Sequence, residues 1–291
     1  MKPAPFDYYR AGSAKEAVAL LREHGADAKI LAGGQSLLPM MKLRLARPAV
    51  VVDINRVREW QYVRAANGGL AFGAMARLDE LESDTVRRHA PLLAEAVQHI
   101  AHPAIRHRGT VCGSLAHSDP AAELPVLALA LDAEMVALGP RGERVVPARD
   151  FFVTFLTTAL APDEVLAEAR FPALAPDAGS AFLELSRRPG DFAIVAVAVV
   201  LEAARGTITR ARVALAAVAD RAVRGEAAEA ALVGQPARPE AFETAARLAA
   251  DPLEPPSDVH GSSGYRKHLA RVLVRRALTQ AWERATGTPP R

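Results

Sequence analysis

Two short stretches hold the residue types that could bind a multiply charged ligand. The first is Ala32-Gly33-Gly34-Gln35-Ser36-Leu37, set between the apolar Ile30-Leu31 and Leu38-Pro39. If a strand ends and a helix opens there, the consecutive N–H groups of residues 33–37 and the Ser36 hydroxyl can donate to an anion such as a diphosphate. Glycine permits positive φ in such a turn and, lacking Cβ, lets a ligand approach the backbone. For a lone Gly-Gly pair a plain strand-to-helix turn is the favoured reading, since such pairs are common turn punctuation. The second stretch, Thr110-Val111-Cys112-Gly113-Ser114, repeats the chemistry further along, with a glycine flanked by hydroxyls and preceded by Arg106 and Arg108. Two such loops could close on the two ends of one extended ligand, a dinucleotide. Neither loop carries the P-loop pattern or the Gly-x-Gly-x-x-Gly of a Rossmann turn, which disfavours both.

Positioning the first loop falls to a small α/β unit. Ser13-Ala14-Lys15-Glu16 is a capping box, Ala14, Ala17, Val18 and Leu21 follow at helical spacing, and Gly25 closes the helix. Residues 49–54 read as a buried strand. Further on, the pattern predicts a strand at 70–74, a helical stretch from Leu78, and a helix over 92–100 that stops before Pro103. The small, polar stretch 105–120 has no core pattern. It contains Asp119-Pro120, which reads as the N-cap and N1 of an apolar helix reaching about Leu131.

A hairpin around residues 139–142 and a strand at 164–171 precede the Pro-rich segment 172–179, which reads as a linker. Beyond it, β-like runs at 181–187, 193–203 and 207–218 are separated by hairpin-length turns. They predict an antiparallel three-stranded meander covered by helices at 226–232, 239–250 and from Tyr265. The fold class is therefore α+β, with domains at 1–177 (subdomains about 1–57 and 58–177) and 178–291.

At 291 residues and 50% hydrophobic content the chain can bury a sizeable core. Its charge of +3 comes from scattered arginines, and aromatics are only 5%, so nothing resembles the basic, aromatic-bearing stripe of a nucleic-acid binder. Cys112 is the single cysteine, which excludes an internal disulfide and a thiolate cage for zinc or an iron–sulfur cluster and fits a reducing compartment. Residues 1–7 lack the apolar core of a secretory signal, and no apolar run reaches the ~18 residues of a membrane span. A cytoplasmic location with no transmembrane segment is expected.

The two loops, taken with their flanks, resemble a known family. Ala32-Gly33-Gly34-Gln35-Ser36-Leu37-Leu38-Pro39 with Lys42-Leu43-Arg44, and Ile105-Arg106-x-Arg108-Gly109-Thr110-Val111-x-Gly113-Ser114 continuing to Glu123-Leu124-Pro125, look like the flavin loops of the medium, FAD-binding subunit of molybdenum hydroxylases. Gly190-Asp191-Phe192-Ala193, Tyr265-Arg266-Lys267 and Arg275-Arg276-Ala277-Leu278 are similar to that family's C-terminal domain, so the likeness runs nearly end to end. It implies a two-subdomain FAD-binding domain of the molybdopterin-dehydrogenase flavoprotein type, followed by a domain with a three-stranded antiparallel sheet covered by helices.

By the same resemblance, Ala32, Gly33, Gly34, Gln35, Ser36 and Leu37 with Thr110, Val111, Cys112, Gly113 and Ser114 fall at the FAD diphosphate and its neighbours. Glu123 falls at an acidic position that contacts the flavin nucleotide, and Ile100 and Leu166 at apolar positions beside it. Phe192 falls where an aromatic ring covers the isoalloxazine. Cys112 replaces a frequent glycine, so that backbone must tolerate a Cβ or the loop must shift. Gln35 stands where some relatives have the histidine of a covalent flavin bond, so FAD is expected to be non-covalent.

The resemblance further implies a large molybdopterin-binding subunit and a small [2Fe-2S] subunit as partners, in a dimer of heterotrimers. Electrons would pass from the clusters through the flavin to NAD, a quinone or another acceptor. No catalytic side chain and no metal ligand are expected in this chain. The alternatives are a free-standing FAD-dependent oxidase or dehydrogenase, which would need its own acid or base, and a non-enzymatic interaction subunit whose glycine loops are only turns. His99, His102 and His107 are separated by Pro103 and lack an interspersed carboxylate, so solvated loop histidines are favoured over a metal site. Arg266, Lys267, Arg271, Arg275 and Arg276 read as a solvated basic face, with docking to a partner as the alternative.

Overall fold

A computed structural model describes residues 2–66 and 68–287. The chain opens with β1 (Asp7–Arg10), α1 (Ala14–His24), β2 (Ala28–Leu31), α2 (Leu37–Lys42) and β3 (Val50–Asp53). The three strands form a parallel sheet in the order β1-β3-β2, with Val50 paired to both Asp7 and Ala28. All four β3 residues are buried, as the central strand of a covered parallel sheet must be. The Ser13 hydroxyl caps α1 by accepting the Glu16 N–H at 3.2 Å. β1 was missed in the sequence because Asp7-Tyr8-Tyr9-Arg10 is exposed and carries no apolar alternation.

A second unit comprises β4 (Val63–Ala66), β5 (Gly69–Gly73), α3 (Asp84–His89), α4 (Pro91–Ala96), α5 (Pro103–Arg106), α6 (Val111–His117), α7 (Glu123–Ala130), β6 (Glu134–Gly139), β7 (Gly142–Pro147), α8 (Ala148–Phe151), β8 (Phe152–Thr154), β9 (Thr157–Thr158) and β10 (Val165–Phe171). Five of its strands make an antiparallel sheet in the order β4-β5-β10-β6-β7. Three expectations need correction here. The helix placed over 92–100 ends at Ala96. The stretch 105–120 is not a coreless loop, since Val111, Cys112 and Leu115 on α6 are buried. Asp119-Pro120 does not cap α7: its N-cap is Ala122, and Asp119 instead accepts the Ala121 N–H at 2.9 Å in a tight turn.

The last unit has β11 (Gly179–Leu185), β12 (Val195–Ala204), β13 (Thr207–Ala216) and β14 (Val223–Arg224), then α9 (Glu226–Leu232), α10 (Pro239–Ala250) and α11 (Ser263–Thr286). The meander is antiparallel, as expected, with the two-residue β14 added at its edge. Strand alternation makes β12 a wall between two cores. Val195, Val197, Val199 and Leu201 pack with α10 and α11, whereas Ala196, Ala198 and Val200 join the core of the first two units. The near-continuous apolar run of β12 follows from this burial on both faces. Of the α11 arginines, Arg275 and Arg276 are exposed as expected, but Arg266 does not belong to that solvated face. Arg266 is buried and bonded to the Ile194 and Ala217 carbonyls and to Asp258, while Arg271 pairs with Asp251 and Arg275 with Glu243.

No described helix is long and apolar enough to cross a membrane. No described group of three or more His, Cys, Asp and Glu side chains is placed to hold a metal ion.

Candidate functional site

The carboxyl ends of β1, β2 and β3 lie at one sheet edge, and the chain leaving β2 turns there through residues 32–36 into α2. Crevices outside the carboxyl ends of parallel strands are the usual ligand position in open α/β sheets. Gly34 has φ +73°, a left-handed value that favours glycine. A Cβ on Gly33 would collide with the Arg108 carbonyl and come within 2.7 Å of the Gly109 Cα. The two glycine loops therefore pack backbone against backbone, and Gly33 is required by that approach. Gln35 folds its amide back on its own loop, Nε2 donating to the Gly33 carbonyl at 3.2 Å. None of the backbone N–H groups of residues 33–37 has an acceptor among the described residues. Five donors in sequence are left for a ligand.

The second loop is fixed to the chain before α3. Leu78 N–H donates to the Gly109 carbonyl and Val111 N–H to the Ala76 carbonyl, both at 3.0 Å. Thr110 caps α6, its hydroxyl accepting the Gly113 N–H at 3.1 Å. A Cβ on Gly113 would stand 2.5 Å from that hydroxyl. Cys112 needs no loop shift, because it occupies a helical position with its thiol turned inward, 3.5 Å from the Phe72 carbonyl. Burial pushes the thiol pKa well up.

A cavity of about 570 Å³ runs between the loops. Of the first loop, Ala32, Gly33, Gly34, Gln35, Ser36 and Leu37 all line it; of the second, Thr110, Cys112, Gly113 and Ser114 do. Ile100, Leu166, Glu123 and Phe192 reach it from elsewhere in the chain. Val111 alone among the expected site residues is not brought there; it faces the core and is fully buried. Glu123 is 7% exposed, and burial raises its carboxyl to about 7. Phe192 is 69% exposed and stands at the cavity edge on the turn before β12. In that turn Gly190 has φ +84°, and its α-carbon is packed so closely on the His102 ring and the Ala101 carbonyl that a Cβ would not fit.

The structure adds residues that the sequence did not single out. Leu156, in the turn of the β8–β9 hairpin with φ +50°, and Leu160, just after β9, line the cavity, and no motif marks them. His117 and Asp119 also line it, and burial pushes the His117 imidazole pKa down. Asn55 and Arg77, away from both glycine motifs, tie the loops together. Asn55 Nδ2 donates to the Ala32 carbonyl at 2.8 Å, Arg77 Nη1 donates to the Arg108 carbonyl, and Arg77 Nη2 donates to Asn55 Oδ1 at 2.9 Å.

Comparison with known proteins agrees with this geometry. Residues 4–174 match the model of the FAD binding domain in molybdopterin dehydrogenase, and residues 180–281 that of the CO dehydrogenase flavoprotein C-terminal domain. The chain is 42% identical to the 6-hydroxypseudooxynicotine dehydrogenase complex subunit alpha of Paenarthrobacter nicotinovorans, covering 99% of this chain and 98% of that one. It is also 42% identical to the carbon monoxide dehydrogenase medium chain of Hydrogenophaga pseudoflava, covering 98% and 99%. The solved carbon monoxide dehydrogenase of that organism, in a form lacking the Mo-pyranopterin moiety, superposes with a TM-score of 0.95 at 45% identity over 98% of this chain and 99% of its own.

Proposed function

We infer the function from a fixed starting point: the chain belongs to the FAD-binding medium subunits of the carbon monoxide dehydrogenase and xanthine dehydrogenase family. It is an oxidoreductase subunit with FAD as its cofactor. On that basis it serves as the electron relay of a molybdenum hydroxylase, taking electrons from [2Fe-2S] clusters on a small subunit and passing them to NAD, a quinone or another acceptor. Substrate is oxidised on a large molybdopterin-binding subunit. The relatives named as a complex subunit and a medium chain support such an assembly, for which we propose a dimer of heterotrimers in the cytoplasm.

The observation that carries this reading is the row of five unpartnered N–H groups at residues 33–37, in a loop that lines one cavity together with the second loop. It fits FAD, because a diphosphate needs donors that are not already spent and a backbone that a Cβ does not screen. Residues 33–37, with the N–H groups of Thr110 and Cys112, hold the diphosphate. Ile100 and Leu166 supply apolar walls, Glu123 a polar contact, and Phe192 a ring that limits water at the open side. When bound, FAD supplies a centre that accepts electrons singly and releases them singly or in pairs. With Gln35 in the first loop, retention is non-covalent. We place the domain boundary at 177/178, the first domain divided near residue 57.

The test is to express the chain with its neighbouring genes, isolate what co-purifies, and measure molybdenum, iron and flavin. Molybdenum, iron and FAD in one complex with two further chains is the expected result. FAD on a chain that stays alone would refute the assembly and point to a free-standing flavin enzyme.

A further inference from the structure

A second cavity, of about 340 Å³, opens at the same sheet edge as the first. The last residues of all three parallel strands line it, Arg10 of β1, Leu31 of β2 and Asp53 of β3. It too therefore lies outside the carboxyl ends of the strands, where open α/β sheets take their ligands. Ala32 and Gly33 line both cavities, which makes the start of the first glycine loop their common wall. The remaining walls include Arg56, on the chain leaving β3, and Arg108, just ahead of the second glycine loop.

Three arginines thus meet at one cavity. Arg56 and Arg108 are exposed, and their side chains have no hydrogen-bond or ion-pair partner among the described residues. Arg10 reaches only Tyr8, its Nε donating to the Tyr8 hydroxyl at 3.3 Å and its guanidinium standing over that ring. Other exposed arginines of the chain do find carboxylates: Arg64 pairs with Glu168 at 2.7 Å, and Arg144 with Glu164 and Arg284 with Glu95 at 2.6 Å. The one carboxylate among the described residues that line the cavity, Asp53, is already spent. It accepts the Tyr8 hydroxyl, the Asn55 N–H at 2.8 Å and Asn55 Nδ2 at 2.7 Å. Like charges gathered in a concave site repel one another and focus a field that attracts an anion. Guanidinium forks match phosphate oxygens in pairs. Leu31 and Leu38 add an apolar side, and the volume stands at the small end of the ~300–1,000 Å³ of ligand pockets. A diphosphate or a small phosphate ester matches that combination.

We propose that this arginine cavity binds a phosphate-bearing anion and that the bound anion braces the two glycine loops against each other; the brace, though not the site, rests on the FAD reading above. Arg10 and Arg56 stand on the first sheet and the chain leaving it, and Arg108 on the second unit, so one anion held by all three joins the units. The Arg108 carbonyl is the point where the loops already meet. Arg77 Nη1 donates to it, and Gly33 packs so closely on it that no Cβ fits. Asn55, in the wall of the same cavity, holds the Ala32 carbonyl at 2.8 Å. An anion there keeps the N–H row of the first loop in place from outside the FAD cavity. Because coupling between two sites is reciprocal, the anion and FAD each strengthen the binding of the other.

Isothermal titration calorimetry of inorganic pyrophosphate into the FAD-loaded full chain, whose first cavity is filled, tests the site. The expected result is one equivalent bound with a Kd below about 1 mM at about 0.1 M salt, and binding weaker by about tenfold or more in the double variant Arg10→Gln/Arg56→Gln. Both residues are exposed and line no part of the first cavity, so the variant should keep the flavin spectrum and melting temperature of the wild type. No saturable binding, or equal binding in wild type and variant, overturns the site. ADP as a second probe separates two sources of the same chemistry: binding tighter than pyrophosphate identifies a phosphate ester seated on the leucines, and weaker binding an inorganic diphosphate. Fluorescence titration of FAD into the flavin-free chain tests the brace. With saturating pyrophosphate FAD should bind about fivefold tighter or more in the wild type, and no tighter in the double variant. Unchanged FAD binding, or the weaker binding that competition in the first cavity would give, overturns the brace. A chain that takes no FAD overturns the FAD reading and the brace with it, and loss of pyrophosphate binding in the double variant still decides the site.

Discussion

Arg77 Nη2 meets Asn55 Oδ1 at 2.9 Å, and through this contact the two glycine loops are held in one register. Asn55 grips the Ala32 carbonyl and Arg77 the Arg108 carbonyl, so neither loop can shift without breaking the link. Hydrogen bonds to a charged group contribute about 1.5–3 kcal/mol each. Arg77→Ala should therefore weaken FAD binding by about ten- to a hundredfold, with little change in the apolar core. Flavin fluorescence titration measures this; affinity equal to wild type would show that the loops register without the link.

Gly33→Val and Gly113→Val should each abolish FAD retention while leaving the fold largely intact. The reasons differ. At residue 33 a side chain forces the Arg108–Gly109 backbone away, and at residue 113 it displaces the Thr110 hydroxyl from its cap. Gly33→Ala should already show most of the defect, because its conflict is with backbone that cannot rotate aside. Flavin-to-protein absorbance ratios after purification give the readout, and full flavin occupancy in both valine variants would remove the two-loop site.

Both loops were legible in the sequence because the same glycine-and-hydroxyl chemistry occurs twice, whereas a lone Gly-Gly pair reads as turn punctuation. The helices Glu226–Leu232 and Pro239–Ala250 were legible from their spacing and appear with those bounds. Asn55, Arg77 and Leu156 were not, since each acts through a contact distant in sequence and carries no local pattern. That the Val111 side chain faces the core was not legible, because a loop motif does not tell which of its side chains turns inward. Arg266 was misread for a related reason: a basic residue among other basic residues looks solvated until the carbonyls of Ile194 and Ala217 are seen around it. The three-strand meander was read correctly, but only the fold explains why β12 is apolar on both faces.

Cys112 should behave as a packing residue. It is buried, and its thiol is held in the neutral form by that burial. The native chain should resist iodoacetamide and maleimide at neutral pH, then take up one equivalent on unfolding in guanidinium. Rapid stoichiometric labelling of the folded chain would contradict this placement.

Arg266 is 4% exposed and satisfies two buried carbonyls, one of them Ile194, just beyond the turn that presents Phe192. Arg266→Met keeps much of the volume but leaves those carbonyls and Asp258 without their donor. A loss of about 2–4 kcal/mol in unfolding free energy is expected. Urea denaturation followed by circular dichroism measures it, and a change under about 0.5 kcal/mol, the level of ordinary surface substitutions, would mean that Arg266 is dispensable to the fold.

Stability of the flavin-free chain should peak at mildly acidic pH. Burial raises Glu123 and Glu184 in the folded state to about 7 and about 8, above the ordinary carboxyl value. Groups raised on folding stabilise fully below their unfolded pKa, and that contribution is lost as pH climbs through the folded values. Glu168 sets the opposite limb. Burial works to raise it, but hydrogen bonds from Tyr62, Arg170 and Arg64 outweigh burial and hold it low, so its contribution is lost as pH falls through its folded pKa. The melting temperature should accordingly drop by a few degrees between about pH 5 and pH 8.5, and Glu184→Gln should flatten that alkaline limb by leaving no charge to bury. Differential scanning calorimetry across this range decides the matter, because an alkaline limb as steep in Glu184→Gln as in wild type would place the titrating groups elsewhere.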